Sequence, residues 1–140
     1  MATYDGRMIC VDPVIEQVVW NVEPEGGFPF YASPAVAGER VIFAGRDGVV
    51  RGLNKADGRE VWRFPTKGKV DSSPVIVGDR VFFGSSDGSL YAVALSDGRK
   101  RWSFAAGAAI VASPAVGEGR LVIGARDGAV YCFGVRGDAR

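Results

Sequence analysis

The chain has 140 residues, of which 47% are hydrophobic and 24% charged, and its formal net charge is +1 at neutral pH. Acidic and basic residues are interleaved, so the sequence predicts no nucleic-acid partner and no insertion into a membrane. The chain contains no histidine and no Cys-x-x-Cys pair, which leaves almost nothing from which to build a zinc site or a histidine-based catalytic triad.

The N-terminal stretch predicts two short β-strands. The runs Arg7 to Val11 and Glu16 to Trp20 lie on either side of a turn that Asp12-Pro13 opens. The start of the chain lacks the basic-then-apolar pattern of a signal peptide, and no window is long and apolar enough for a transmembrane helix. The compartment is therefore unknown from this stretch: the pattern fits a cytoplasmic protein or a chain whose N-terminus lies upstream of Met1.

Residues 31–66 predict a complete unit of four antiparallel strands. Its β-type runs are separated by short turn signals such as Asp47-Gly48 and Asp57-Gly58. The second run, Val41 to Ala44, is apolar at both parities, which indicates a strand covered on both faces. The last run alternates in polarity, as expected for a half-exposed outer strand.

The same pattern is repeated with a step of 40 residues: Ser-Pro begins at positions 33, 73 and 113, and Asp-Gly at positions 47, 87 and 127. Residues 71–106 are therefore a second complete unit, residues 111–134 a unit without its outer strand, and residues 1–22 the two outer strands of a further unit. Residues 135–140 are a polar tail. Repeated units bury surface against their neighbours, and the sequence predicts thirteen strands in small stacked sheets.

The order of residues within a unit resembles the pyrroloquinoline-quinone-type repeat, or tryptophan-docking repeat, of quinoprotein-like β-propellers. Ser-Pro, an apolar run, Gly-Ser-x-Asp-Gly, x-Leu-Tyr-Ala and Asp-Gly-x-x-x-Trp carry the resemblance, which covers Asp5 to Phe133. It implies an all-β fold, a β-propeller arc of about three and a half four-stranded antiparallel blades. The outer-strand tryptophans and motif glycines that it implies as docking residues are Trp20, Trp62, Trp102, Gly58 and Gly98.

Such an arc cannot close a ring alone, because closed propellers have about 4 to 8 blades. Two completions stay open: a homodimer that closes a ring, or another propeller segment that supplies the missing blades to what is then a C-terminal piece. For the dimer, the N-terminal unit supplies an outer strand that the C-terminal unit lacks. The run Arg7 to Val11 is then in excess.

The resemblance and the residues together predict a non-enzymatic binding or scaffold module for protein–protein interaction. Quinoprotein dehydrogenases with this repeat hold their quinone with a vicinal disulfide, a stacking tryptophan and a calcium site. Cys10 and Cys132 are far apart in the sequence, so we expect no catalytic residue, cofactor or metal. A fragment of a pyrroloquinoline-quinone-dependent dehydrogenase and a purely structural, self-assembling half-propeller are the alternatives. The resemblance also extends to propeller lipoproteins of outer-membrane protein assembly, which implies the bacterial periplasm or cell envelope.

Partner contacts are expected where the units differ at equivalent positions, although solvated turn residues would give the same pattern. The positions two before Ser-Pro and one before Asp-Gly give the candidate contact residues Tyr31, Asp71, Arg46 and Arg126.

Two further positions carry packing predictions. Arg51 occupies a strand position held by tyrosine in later units, which predicts an ion pair across the sheet interface or stacking on an aromatic ring. Cys10 and Cys132 share the position of Gly52 and Ala92, which predicts a small buried side chain.

Overall fold

The computed structural model describes residues 1–134, which form thirteen β-strands in four antiparallel sheets. The strands are β1 (Met8–Asp12), β2 (Gln17–Val22), β3 (Ala35–Ala37), β4 (Arg40–Ala44), β5 (Val49–Asn54), β6 (Glu60–Pro65), β7 (Val75–Val77), β8 (Arg80–Gly84), β9 (Ser89–Ala94), β10 (Lys100–Ala105), β11 (Ala115–Gly117), β12 (Arg120–Gly124) and β13 (Val130–Gly134). The predicted all-β class and strand number are confirmed, with boundaries shifted by one or two residues. The predicted polar tail lies outside the described residues.

Each sheet pairs its strands in chain order: β1–β2, β3–β6, β7–β10 and β11–β13. Asp47-Gly48, Asp87-Gly88 and Asp127-Gly128 form the turns between the second and third strands of their sheets, whereas Asp57-Gly58 and Asp97-Gly98 lie between the third and fourth strands. In the turn before β5, Asp47 Oδ1 accepts a hydrogen bond from the backbone N of Val49 at 3.1 Å, and Gly48 follows the aspartate with a φ of 80°. Glycine adopts this left-handed conformation without strain. The same aspartate contact recurs before β9 and β13.

The sheets stack face to face, and the second strand of a central sheet is covered on both sides. Phe43 of β4 lies in an apolar cluster with Met8 of the preceding sheet, whereas Ile42 packs with Val81 and Phe83 of the following one. The prediction of a doubly covered strand is confirmed for β4. In β12 only the face toward the preceding sheet is fully covered, since no further sheet follows within residues 1–134.

The Ser-Pro motif links the first strands of successive units. The backbone N of Ser33 donates to Ser73 Oγ at 2.8 Å, and the backbone N of Ser73 donates to Ser113 Oγ at 2.9 Å. β3 also contacts β7 directly. A serine hydroxyl at this position therefore satisfies a backbone donor of the preceding unit, which explains why the motif returns every 40 residues.

Residue size on each third strand follows from the neighbouring outer strand. Three positions lie opposite an outer-strand tryptophan, in the pairs Cys10 with Trp20, Gly52 with Trp62 and Ala92 with Trp102. A Cβ atom added at Gly52 would lie 2.3 Å from the indole, so the ring leaves room for little more than a hydrogen atom. Cys132 is exposed, contrary to the expected burial, because no fourth strand pairs with β13 within the described residues.

Candidate functional site

Trp20 on the outer strand β2 reaches the following sheet. Its indole Nε1 donates a hydrogen bond to the backbone carbonyl of Lys55 at 2.8 Å. The ring lies against Gly58, where an added Cβ would come within 2.7 Å of it, and Gly58 has a φ of 73°. Close approach and backbone conformation therefore both require glycine in this turn.

Trp62 repeats these contacts one unit later. Its Nε1 donates to the backbone carbonyl of Leu95 at 3.0 Å, and its ring lies against Gly98. Trp102 is 37% exposed, against 6% for Trp62, and packs edge-on against Phe133 with ring centres 5.1 Å apart. Trp20 and Trp62 are therefore buried against the following sheet, whereas Trp102 is partly exposed.

Three of the four candidate contact residues meet where successive units adjoin. Arg46 donates to both carboxylate oxygens of Asp71, at 2.8 and 2.9 Å. The same guanidinium lies 4.0 Å from the centre of the Tyr31 ring. The side-chain hydrogen bond to Asp71 raises the pKa of Arg46, because it stabilises the charged guanidinium. Three of the four predicted residues are therefore in one group.

Tyr4 completes this group, although it is not among the four contact residues predicted from the sequence. Tyr31 donates a hydrogen bond to the Tyr4 hydroxyl at 3.1 Å, and the two rings pack edge to face at 5.5 Å. The hydrogen bond to Tyr4 raises the pKa of Tyr31 because it stabilises the neutral phenol. Tyr4 immediately precedes Asp5-Gly6, as Arg46 precedes Asp47-Gly48, so its position in the repeat would have identified it. We call Tyr4, Tyr31, Arg46 and Asp71 the Tyr–Arg surface.

The side-chain hydrogen bonds of this surface follow one rule along the chain. The residue before Asp-Gly in one unit touches the residue two before Ser-Pro in the next unit, as Tyr4 touches Tyr31 and Arg46 touches Asp71. Arg126 occupies the equivalent turn position of the last unit, and its side chain is exposed. Its backbone N donates to the carbonyl of Ala109 at 3.0 Å. The structure thus places Arg126 at the far end of the arc, apart from the other three residues.

Arg51 is buried on β5 and pairs with acids of its own sheet. It contacts the turn residue Asp47, and its Nε lies 3.5 Å from Glu60. The prediction of a pair across the sheet interface is therefore wrong, because the turn places a carboxylate four residues before the arginine. The guanidinium does lie over an aromatic ring, that of Phe43, at 5.8 Å.

Chemistry-bearing side chains are sparse elsewhere in residues 1–134. Within that range no group of three or more His, Cys, Asp or Glu side chains is placed to hold a metal ion. The described residues also contain no helix that is long and apolar enough to cross a membrane.

Stacked four-stranded sheets, phased Ser-Pro and Asp-Gly motifs and outer-strand tryptophans define a partial β-propeller of the pyrroloquinoline-quinone repeat type. The family model described as outer membrane protein assembly factor BamB matches residues 1–140, and the chain belongs to that family.

Solved structures agree with this assignment at the level of the fold. BamB from Moraxella catarrhalis has a TM-score of 0.85 and 24% identity, with 95% of this chain and 41% of that chain covered. The computationally designed Ika4 protein has a TM-score of 0.82 and 15% identity, covering 96% and 82% of the two chains. A quinohemoprotein alcohol dehydrogenase from Pseudomonas putida HK5 has a TM-score of 0.70 and 23% identity, covering 76% and 19%. The chain thus spans less than half the length of the Moraxella protein, and no curated protein matches it.

Proposed function

We propose that the chain is a non-enzymatic binding module that holds a protein partner on the Tyr–Arg surface. The observation that carries the proposal is the group itself, in which two exposed tyrosines and an arginine from two successive units, with Asp71 of the next unit, are fixed against one another. Tyr4 is 71% exposed and Tyr31 is 48% exposed, so both rings offer area to a partner.

The chemistry of this surface suits protein recognition. Tyrosine and arginine are enriched among residues that dominate binding energy, because they combine a large contact area with directional hydrogen bonds. Asp71 and the Tyr31 ring already hold Arg46 in place, so a partner pays little of the cost of ordering that long side chain. Since Asp71 neutralises Arg46, the expected partner presents apolar side chains to the rings and polar groups to the margin.

The family assignment supports a place in the bacterial cell envelope. The family model carries the description of an outer membrane protein assembly factor, and we extend that setting to this chain as part of the proposal. Partners are then envelope proteins, a second copy of the chain or another propeller segment. Trp20, Trp62 and Trp102, with Gly58 and Gly98, act in this proposal as structural docking residues between units.

The alternative of a quinone-dependent dehydrogenase fragment has the similarity to the Pseudomonas enzyme in its favour. It predicts that the purified chain binds pyrroloquinoline quinone in the presence of calcium. Our proposal predicts that mixing with the purified chain leaves the absorbance spectrum of the quinone unchanged. It also predicts that the chain takes up no calcium, which equilibrium dialysis measures.

Partner binding is tested in two stages. A photo-crosslinking residue at position 31 identifies the bound protein in the native host, and the same residue at Arg80, an exposed arginine of β8, serves as the control. Calorimetry with the purified partner then compares Tyr31→Ala and Arg46→Ala with Arg80→Ala. We expect roughly tenfold weaker binding for the first two variants and unchanged binding for the third. Equal affinity for all three would contradict the proposal.

A further inference from the structure

An open cavity lies in the interface between the first two sheets, beside their outer strands. β2 and the loop that follows it border one side, and β5 and β6 border the other. The volume of the cavity is about 430 Å³, which is in the usual range of ligand pockets. The residues that line it are 22–25, Arg51, Glu60 and Arg63.

The equivalent positions of the next two interfaces are filled by aromatic pairs. Each pair joins an outer strand to the third strand of the following unit: Phe64 with Tyr91, whose ring centres are 5.3 Å apart, and Phe104 with Tyr131, at 5.1 Å. In the first interface the same positions carry Val22 and Arg51. Valine has no ring, and Arg51 contacts Asp47 of its own sheet, so the space stays open.

The strands that border this cavity are all present. A complete unit has two further strands before the equivalent of β1. Since every sheet pairs its strands in chain order, those strands would pair with β1 on the side away from β2, whereas the cavity lies on the β2 side. The opening therefore follows from the residues at positions 22 and 51.

Glu60 holds the two arginines of the cavity. Its Oε1 lies 2.5 Å from Arg63 Nε, and its Oε2 lies 3.5 Å from Arg51 Nε. Arg51 contacts Asp47 as well. Two carboxylates thus balance two guanidinium groups on this side of the cavity.

The loop side of the cavity carries acids that are not balanced in this way. Glu23 and Glu25 are exposed, and neither forms an ion pair within residues 1–134. The hydrogen bond to Asp5 raises the pKa of Arg7, and the charge of Glu23 adds to that increase. Arg7 is thus near Glu23 but is already paired with Asp5, at 2.5 Å. The loop therefore offers two carboxylates to a cation.

Arg51 has a further unmet requirement. Its side chain is 5% exposed, and its Nε forms no hydrogen bond, although Glu60 Oε2 lies 3.5 Å away. A buried N–H donor without an acceptor is unfavourable, and a ligand that brings a carbonyl oxygen to this wall of the cavity can satisfy it. The cavity therefore suits a ligand that carries a cation at one end and an acceptor at the other.

We propose that the cavity binds a lysine residue of a protein or peptide. The ammonium ion pairs with Glu23 and Glu25, and the methylene stem lies along Val22 and Pro24. A backbone carbonyl of the bound peptide accepts the hydrogen bond from Arg51 Nε.

The chemistry of the cavity favours lysine over arginine. A guanidinium gains affinity by stacking on aromatic rings, and the described residues that line the cavity include no aromatic ring. A compact ammonium ion can instead be shared between two separate carboxylates. The residues of the Tyr–Arg surface are not among the described lining residues either, so this inference stands or falls independently of the proposed partner binding.

The first test is a heteronuclear NMR titration of the purified 140-residue chain with Nα-acetyl-lysine N-methylamide. Nα-acetyl-norleucine N-methylamide is the control ligand, because it has the same backbone and carbon stem without the ammonium ion. We expect the backbone amides of Glu23 and Glu25 to shift with the lysine compound, and the norleucine compound to bind roughly tenfold more weakly. Pentylamine, which has the ammonium ion without a carbonyl, should also bind more weakly than the lysine compound.

The second test removes the charge of the loop. Glu23→Gln with Glu25→Gln should weaken binding of the lysine compound roughly fivefold, because each exposed ion pair contributes modestly. The matched control is Glu39→Gln with Glu118→Gln, which removes the same charge at two exposed glutamates outside the cavity. This control should bind the lysine compound as tightly as the parent chain does.

The third test fills the cavity. Val22→Phe with Arg51→Tyr introduces the aromatic pair that the next two interfaces contain. Binding of the lysine compound should be lost, whereas the midpoint of thermal unfolding should not fall. Circular dichroism checks the fold of this variant and of both glutamine variants.

Four results would overturn the inference. They are no chemical-shift change with the lysine compound, equal binding of the norleucine compound, equal binding by the two double glutamine variants, and binding that survives Val22→Phe with Arg51→Tyr. Binding of pentylamine as tight as that of the lysine compound would overturn the assignment to a peptide and would assign the cavity to a small amine.

Discussion

The size of the side chain at position 52 of β5 is limited by Trp62, which faces it on the neighbouring strand β6. Gly52 lies under the Trp62 ring, and Trp62 is 6% exposed, whereas Ala92 lies opposite Trp102, which is 37% exposed. The methyl group of Ala92 occupies space that the Gly52 position leaves open. Trp20 faces the larger Cys10 and is still only 8% exposed, so the burial of each indole depends on its docking to the following sheet and not on the facing residue alone.

Replacing the deepest indole should be the most damaging change on an outer strand. Trp62→Ala removes a buried ring and the Nε1 hydrogen bond to Leu95, and we expect a loss of about 3 to 5 kcal/mol in the free energy of unfolding. Trp102→Ala removes a ring that is already partly in water and should lose clearly less. Chemical denaturation of both variants measures the difference, and equal losses would refute a docking role specific to Trp62.

Strands β5 and β9 carry different side chains at the same position of the repeat, an arginine at 51 and a tyrosine at 91. Arg51 on β5 pairs with Asp47, and Tyr91 on β9 donates to Asp87 Oδ2 at 2.7 Å. In both cases a side chain on the third strand reaches back four residues to the turn aspartate. The turn fixes the acceptor, and the strand only has to supply a donor of sufficient length.

This equivalence predicts that tyrosine can replace the buried arginine. Arg51→Tyr should stay within about 1.5 kcal/mol of the parent protein, because the phenol can donate to Asp47 as Tyr91 does to Asp87. Arg51→Ala leaves Asp47 without that donor and opens a cavity, and should cost about 3 to 5 kcal/mol. Thermal and urea unfolding compare the two variants, and an alanine variant as stable as the tyrosine variant would contradict the prediction.

The sequence predicted the elements well because their signals are local. Turn residues and the parity of apolar side chains are enough to place the strands, and the 40-residue step shows which of them are equivalent. The exposure of Cys132 was missed because it depends on whether another strand is present. The acid that pairs with Arg51 was predicted to lie across the interface, although the repeat places an aspartate four residues earlier in every complete unit.

At the scale of the whole molecule, the four sheets have unequal cover. Sheets β3–β6 and β7–β10 each have a neighbour on both faces, whereas β1–β2 and β11–β13 have one neighbour within residues 1–134. Stability in such arrays is a sum over units and their interfaces, so the ends are the least protected part. The repeat was enough to predict the propeller arc. The contacts of the Tyr–Arg surface could not be predicted from it, because they join residues of neighbouring sheets.

Hydrogen exchange should therefore be slowest in the centre of the chain. We expect backbone amides of β4, β5, β8 and β9 to be the most protected, and those of β1 and β11 to exchange first. Exchange followed by mass spectrometry on peptides of these strands provides the measurement. Uniform protection along the chain would mean that the array unfolds as one cooperative body.

The serine ladder has a consequence for how such a chain can change in length. Ser33 donates to Ser73 as Ser73 donates to Ser113, so each unit meets the next through the same bond. In a duplicated stretch of 40 residues, the serine backbone N would donate to the serine hydroxyl of the next unit, and its own hydroxyl would accept from the unit before. The inserted unit would therefore pair with both neighbours through contacts that the chain already has. Gene duplication can thus lengthen the arc one blade at a time, and what limits copy number is the curvature at which the two ends of the ring meet.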